Sequence, residues 1–404
     1  MKTRLFLTIP LMNEFENLDS LLEDLQKQTC NDFVAIFCVN QPDAWWDDPH
    51  KIEICKNNQK TIARLSQENR IEVMVIDRSS PGKGWTGKHF GVGWARKTAM
   101  DAASKMAGPE DIIVTMDGDT RYPLEYLEKI KIAFAGNEEI KALSVPYFHR
   151  LTGKEPEDMA ILRYEIYMRY FAVNMLRINN PYAFTAIGSA MACTVRAYRD
   201  IRGITPHKSG EDFYFIQKLR KYGSVQNDAH TLAHPASRFS NRVFFGTGPA
   251  MIRGNSGDWS GYPLFPHELF DEVKTTFDHF KNLYAGDMEL PMSEFLYEKF
   301  GEKPWDDLRK NARSISSFER ACRHRVDGLR ILQYLKWRYK QINTGDEENL
   351  QAFLNRFYPD EPVTKSLKDF TDFRSATVEQ LDAIRNLLFE KETRWRKKIS
   401  ILRG

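Results

Sequence analysis

The chain lacks most of the features that would fix its class at a glance. Its 404 residues include only five cysteines, Cys30, Cys38, Cys55, Cys193 and Cys322, and no CxxC pair. That excludes a disulfide framework and a cysteine-based zinc site, and it fits a reducing compartment such as the cytoplasm. Long hydrophobic runs are missing too: no stretch of about 18 apolar residues occurs, so nothing reads as a membrane span. The apolar stretch from Leu5 to Met12 is short, contains Pro10 and runs straight into Asn13-Glu14, so it reads as a strand rather than a secretory signal. Charge of one sign is also scarce, because 58 Lys and Arg against 55 Asp and Glu leave a net +3. No nucleic-acid partner is expected, and any basic function must be local.

What is present is an alternation of strand-like and helix-like segments. Leu5–Ile9, Phe33–Val39, Ile71–Ile76 and Ile140–Val145 are rich in the apolar and β-branched residues of buried strands. Helical spacing lies between them, as at Leu18, Leu21, Leu22 and Leu25 and over 51–68, 91–106 and 157–177. Such alternation predicts βαβ units, and hence an α/β fold with a mostly parallel, Rossmann-like sheet flanked by helices. From about residue 266 strand signals thin out. Val326, Leu329, Leu332 and Leu335 keep helical spacing, and Thr377 with Gln380 forms a capping box before a final helix. The expected organisation is therefore one domain over 1–265 and a mainly helical C-terminal extension over 266–404.

The most informative segment is Ile112-Ile113-Val114-Thr115-Met116-Asp117-Gly118-Asp119. It reads as an interior strand that stops at two carboxylates one residue apart. Strand carboxyl ends are where open α/β sheets bind ligands. Two acids placed there repel each other unless a cation joins them, and hard oxygen ligands suit Mg2+ or Mn2+ carrying a phosphate. An Asp-Gly turn with no ligand is the simpler alternative.

Three other segments bear on that choice. Gly82-Lys83-Gly84-Trp85-Thr86-Gly87-Lys88-His89 matches both a GxGxxG pattern and most of a Walker A loop. It satisfies neither, since His89 stands where the Walker loop needs Ser or Thr, and Arg78-Ser79-Ser80-Pro81 intervene between the strand and Gly82. A flexible loop bearing Lys88, followed by a helix bearing Arg96 and Lys97, can still meet phosphate oxygens. Gly210-Glu211-Asp212 opens a helix that runs to Tyr222, and its acids suit either a helix cap or a general base. After it come His230, His234, Arg238 and Arg242.

Taken in order, these pieces resemble the family 2 glycosyltransferases of the GT-A fold over roughly residues 3–250. Pro10, Asn13 and Glu14 look like the first-strand signature that touches the nucleotide. Gly93-Trp94-Ala95-Arg96-Lys97 is similar to the Ala-Arg-Asn helix, with Lys97 in place of Asn. Asp117-Gly118-Asp119 matches the DxD motif, and Glu211-Asp212 matches the acceptor-side acid pair. The resemblance implies an inverting, metal-dependent hexosyl transfer from a nucleotide-diphosphate sugar to a hydroxyl of a glycan or lipid-linked acceptor, in cell-surface glycan or glycolipid synthesis. Asp212 would be the base with Glu211 beside it. Pro10, Asn13, Glu14, Asn40, Lys88, Arg96, Asp117, Arg238 and Arg242 would contact the donor. Asp117, Asp119 and His234 would hold Mn2+ or Mg2+, although His230 and His234 also read as ordinary loop or strand residues. Asn40 stands where many relatives carry an acid that reads the base, so uracil specificity is not implied. With no Gln-x-x-Arg-Trp motif and no membrane spans, a processive synthase is not expected either.

Two rival readings use the same residues. A haloacid-dehalogenase-like phosphatase would use Asp117 as nucleophile and Asp119 as acid/base, but its motif normally opens the domain, whereas three strand units precede it here. A non-catalytic nucleotide-sugar-binding protein would not need Asp117, Asp119 and Asp212 together. The C-terminal run Arg394-Trp395-Arg396-Lys397-Lys398 has two readings as well. It suits a peripheral contact with an anionic bilayer at the inner face of the plasma membrane, or a helix end with Trp395 packed inward.

Overall fold

The computed structural model describes residues 3–208, 210–240, 246–367 and 370–403. Its secondary structure opens with β1 (Leu5–Leu11), α1 (Phe15–Gln26), β2 (Phe33–Asn40), α2 (Ile52–Ser66), β3 (Val73–Arg78), α3 (Val92–Met106), β4 (Ile112–Thr115) and α4 (Tyr126–Ala135). It continues with β5 (Ile140–Ser144), α5 (Glu155–Arg177), β6 (Met191–Thr194), α6 (Val195–Asp200), α7 (Glu211–Tyr222), β7 (Ser224–Gln226) and α8 (Thr247–Asn255). The strands form one sheet in the order β3-β2-β1-β4-β6-β5-β7. Pairing is parallel from β3 through β4 and between β5 and β7, and antiparallel on both sides of β6. The class is α/β with a mostly parallel sheet, as the alternation predicts.

Both faces of the sheet are covered. Leu5, Leu7, Ile9 and Leu11 share a core with Leu18, Leu21, Leu22 and Leu25 of α1 and with Tyr126, Leu127 and Ile130 of α4. Phe6, Val34, Ile36 and Cys38 share the other with Ala95, Ala99 and Ala103 of α3 and with Phe215, Ile216 and Leu219 of α7. Successive strand residues point to opposite faces, so β1 and β2 are apolar at nearly every position, with no alternation, because both of their faces are buried. Each Leu or Phe withdrawn from water in this way contributes about 2 kcal/mol.

β1 neighbours β2 on one side and β4 on the other, so the chain reverses its direction of travel across the sheet between them. A crevice opens at the strand ends at such a switch point. The segment after β1 (Met12 to Glu14) and the one after β4 (Asp117 to Asp119) both leave there.

Close backbone contact also shapes this end of the sheet. A Cβ on Gly93, in α3, would lie 2.2 Å from the His207 carbonyl oxygen and 2.8 Å from its nitrogen. Gly93 therefore lets the loop entering α7 lie directly on α3. Gly93→Ala should force that backbone away and lower the melting temperature by about 5 °C, the effect of roughly 1–3 kcal/mol of overpacking. An unchanged melting curve would show that the loop yields without cost.

Contacts divide the chain into two compact units, one of residues 1–161, 184–257 and 400–404, the other of 162–183 and 258–399. The second is helical: part of α5, then α9 (His267–Asp278), α10 (Ser293–Phe300), α11 (Asp306–Asn311), α12 (Ile315–Arg325), α13 (Gly328–Tyr339), α14 (Asp346–Phe357), α15 (Pro362–Ser366) and α16 (Val378–Arg403). The predicted capping box opens α16: the Thr377 N–H donates to Gln380 Oε1 (2.9 Å), and the Gln380 N–H donates to Thr377 Oγ1 (3.3 Å). Within this unit α16 is fixed to α5 by buried ion pairs, Arg169 joining Glu165 of its own helix to Glu392 of α16 (2.6 Å). All five cysteines are free. Among the described residues no helix is long and apolar enough to cross a membrane.

Candidate active site

β4 ends at Thr115, and the chain turns through Asp117 and Asp119. The Asp117 N–H donates to the Tyr122 hydroxyl (3.0 Å), which in turn donates to the Ser189 carbonyl (3.2 Å). Tyr122 is buried, so the turn is held from behind by a fixed hydroxyl. Sequence spacing gave no sign of this role.

Arg96 of α3 stands at the centre of the site, with a guanidinium only 2% exposed. Nη2 donates to Asp117 Oδ1 (3.0 Å), Nε to Glu211 Oε1 (3.1 Å) and Nη1 to the Gly188 carbonyl (2.8 Å). One buried cation thus ties the acid at the end of β4 to the acid that opens α7. A Cβ on Gly188 would lie 2.5 Å from Nη2 and 3.6 Å from Asp212 Oδ2, so the small-residue segment Ala186–Ala192 makes room for this junction. Burial opposes the charge on Arg96, but Asp117, Glu211 and Asp212 more than offset it and hold the side chain firmly protonated.

The carboxylates around this cation are not alike. Glu211 is buried against Arg96. Asp212 is half-buried, and its Oδ1 accepts the Phe213 N–H (2.8 Å). Burial, reinforced by the adjacent Glu211 carboxylate, pushes the Asp212 carboxyl up to about 7. Burial also raises Asp117, against the pull of Arg96. A carboxyl that gains and loses its proton near neutrality suits general base chemistry.

A second cation sits at the β1 side. Arg238 Nη2 donates to both Glu14 Oε1 and Asp119 Oδ2, each at 2.6 Å. Asn17 Nδ2 holds the other Glu14 oxygen (2.6 Å). Asn13 adopts a left-handed backbone (φ 58°), and its N–H donates to Asn58 Oδ1 (2.8 Å). Asn58 also donates to Gln41 Oε1 (2.8 Å). Asn40 donates to the Leu11 carbonyl (2.9 Å) and accepts from the Trp85 indole N–H (3.2 Å). A buried amide network therefore fixes the ends of β1 and β2 together.

The glycine-rich loop proves to be fastened rather than free. The Trp85 N–H donates to the Gln41 carbonyl, its carbonyl accepts from the Asp43 N–H, and Asp43 Oδ1 takes the N–H groups of Gly82 and Gly84. Arg78 lies over the Trp85 ring at 5.1 Å. Lys88 is exposed. Pro10 is a buried member of β1, so its part is to shape the strand end. Arg242 lies outside the described residues.

Arg96 thus joins Asp117 to Glu211, next to Asp212 in the chain, and Arg238 joins Asp119 to Glu14. His234 is placed by its backbone, which pairs with Arg121, and by Nδ1, 3.0 Å from the Phe148 carbonyl. With Nδ1 donating, Nε2 is the acceptor of the ring, the arrangement of many ligating histidines. Among the described residues, however, no group of three or more His, Cys, Asp or Glu is arranged to hold a metal, so Asp117, Asp119 and His234 do not form such a cluster. A hard ion that completes its shell with phosphate oxygens and water needs only one or two carboxylates. Asp117 Oδ1 meets Arg96 and Asp119 Oδ2 meets Arg238, so an ion at this turn would share both carboxylates with the arginines.

No protein-family model matches the chain, and no curated protein matches it by sequence. Among solved structures it is similar to S. aureus TarS 1–349 in complex with UDP-GlcNAc, at 15% identity over 84% of this chain and 92% of that chain, with a TM-score of 0.39. It is also similar to the mannosyltransferase PcManGT from Pyrobaculum calidifontis in complex with GDP-Man and Mn2+, at 13% identity over 96% of this chain and 88% of that chain, with a TM-score of 0.36.

Proposed function

We propose that the chain is a glycosyltransferase of the GT-A type and of family 2, moving a hexosyl group from a nucleotide-diphosphate sugar to an acceptor hydroxyl with inversion. One observation carries the reading: a single buried guanidinium joins the carboxylate at the switch-point strand end to the acid pair containing a base poised near neutrality. The donor diphosphate would lie at the ends of β1 and β4, against Asp119, Glu14 and Arg238. Asp212 takes the proton of the acceptor hydroxyl as its oxygen attacks the anomeric carbon. The bond from that carbon to the phosphate oxygen breaks on the opposite face, and its electron pair leaves with the nucleoside diphosphate. Arg96 and Arg238 keep the surrounding carboxylates neutralised so that the diphosphate is not repelled. Mn2+ or Mg2+, held by Asp119 and Asp117, would offset charge on the departing diphosphate.

In this proposal residues 1–265 form the transferase domain and 266–404 a helical extension. The acceptor is a glycan or lipid-linked hydroxyl used in cell-surface glycan or glycolipid synthesis. The five free thiols suit work in the cytoplasm.

Donor profiling tests the reading. Thermal shift and slow hydrolysis should be measured across uridine, guanosine, cytidine and thymidine diphosphate sugars, with and without Mn2+. One nucleotide sugar should raise the melting temperature more than its free sugar does, and should be hydrolysed. Metal-dependent hydrolysis of simple phosphate monoesters, with no response to any nucleotide sugar, would sink the proposal in favour of a phosphatase.

A further inference from the structure

The helical unit carries a feature that the transfer reaction does not use. Between the end of α14 and the last turns of α16 lies a cavity of about 350 Å³, walled by Phe357, Tyr358, Pro359 and Trp395 with Lys391 and Lys398 at its edges. The Trp395 indole N–H donates to the Tyr358 hydroxyl (3.3 Å), so the two rings form one fixed wall. Lys398 Nζ sits 4.8 Å from the centre of the Trp395 ring, and Lys391 Nζ sits 5.3 Å from that of Tyr358. Asp360 and Glu361 also line the cavity, and Glu361 is paired with the buried Lys391.

Lys391 to Ile399 contains five cations and one carboxylate, but Lys391, Arg394 and Arg396 are paired with Glu361, Glu390 and Glu392, so the excess positive charge beside this wall rests on Lys397 and Lys398. Arg396 turns inward onto Glu392 and is buried, whereas Arg394, Lys397 and Lys398 are exposed. Their spacing of three and four residues puts them on one face of α16. Arg394 is paired with Glu390 (2.5 Å), and among the described residues neither Lys397 nor Lys398 forms an ion pair. Arg394, Lys397 and Lys398 fall within about one turn of an exposed helix face, and a basic face of that kind suits a phosphate-bearing surface. A half-buried Trp and Tyr next to them have the amphipathic character of side chains that settle at headgroup level.

We propose that this face of α16, with the Tyr358–Trp395 wall, docks on an anionic phospholipid bilayer. Arg394, Lys397 and Lys398 meet the headgroup phosphates, and Trp395 reaches the interface beside them. The proposal is independent of the donor chemistry, so each can fail alone.

The test is co-sedimentation of the full chain with vesicles of phosphatidylcholine alone or mixed with phosphatidylglycerol. Binding should require phosphatidylglycerol, weaken as salt is raised, and fall about tenfold or more in the double variant Lys397→Gln, Lys398→Gln. Melting temperature and donor hydrolysis should be unchanged in that variant. Brominated lipid should quench tryptophan fluorescence in the wild type and do so less in Trp395→Phe. Equal binding to neutral vesicles, or binding indifferent to the double substitution, overturns the proposal. So does saturable binding of inorganic phosphate at these lysines without any vesicle affinity, which would mark a free-anion site instead.

Discussion

Replacing Arg96 by methionine is expected to abolish the proposed sugar transfer and to lower the melting temperature by roughly 10 °C. Methionine has comparable reach but neither charge nor donors. It would leave Glu211, buried against the guanidinium, with no counter-charge, and the Gly188 carbonyl without its donor. Breaking a buried pair by removing one partner costs about 3–5 kcal/mol, and in a unit of this size each kcal/mol lowers the melting temperature by about 2–4 °C. Loss of activity should exceed what instability alone produces, because Asp117 and the Glu211-Asp212 turn lose their common anchor. A shift of about 1 Å in reacting groups can cost 10²-fold.

Arg96→Lys separates charge from geometry. A lysine restores the cation but cannot direct three donors to Asp117, Glu211 and Gly188 at once. We expect it to recover most of the stability while kcat stays down by about 10²-fold and the donor KM changes little. A lysine variant with wild-type kcat would show that charge alone suffices, and a methionine variant of normal activity would remove Arg96 from the mechanism.

Arg96 also marks where sequence reasoning ends. Its helix could be found from spacing, and its type pointed to an anion. Its protein partners, Asp117, Glu211 and a backbone carbonyl, are a different matter. Local pattern registers a residue's reach along its own helix, whereas these three groups lie 21, 115 and 92 positions away along the chain. The strands β1 to β5 were legible because they are mostly apolar, a signal that survives without tertiary knowledge. β6 was not. Its Met191-Ala192-Cys193-Thr194 is four residues long and poor in β-branched side chains, and only its place between β4 and β5 makes it a strand. The packing of the glycine-rich loop was not legible for a related reason. Gly84 lies against Asp43, with a Cβ there 2.6 Å from the Asp43 backbone, a contact 41 positions along the chain. Tyr122 and Asn58 hold the site through hydrogen bonds that no spacing rule records.

Asp212→Asn should reduce transfer by about 10³- to 10⁴-fold, near the upper range for loss of a positioned base, while the nucleotide sugar still binds with nearly unchanged affinity. The amide keeps the size of the carboxyl and can still accept the Phe213 N–H, so α7 should start as before and the melting temperature should hold. What disappears is an oxygen able to take a proton. The wild-type pH profile gives an independent reading of the same group. Burial and the Glu211 carboxylate push Asp212 up to about 7. Below that pH the carboxyl carries a proton and cannot accept another; above it the carboxylate is free to act. Transfer should therefore fall about tenfold for each pH unit below about 6 and level off above about 8. Residual activity of Asp212→Asn should lack that rise. Asp212→Glu, which restores the base on a longer arm, should recover part of the rate together with the pH dependence, a result that a structural cap would not give. If the asparagine variant loses donor binding as severely as it loses turnover, Asp212 shapes the donor site and the base lies elsewhere.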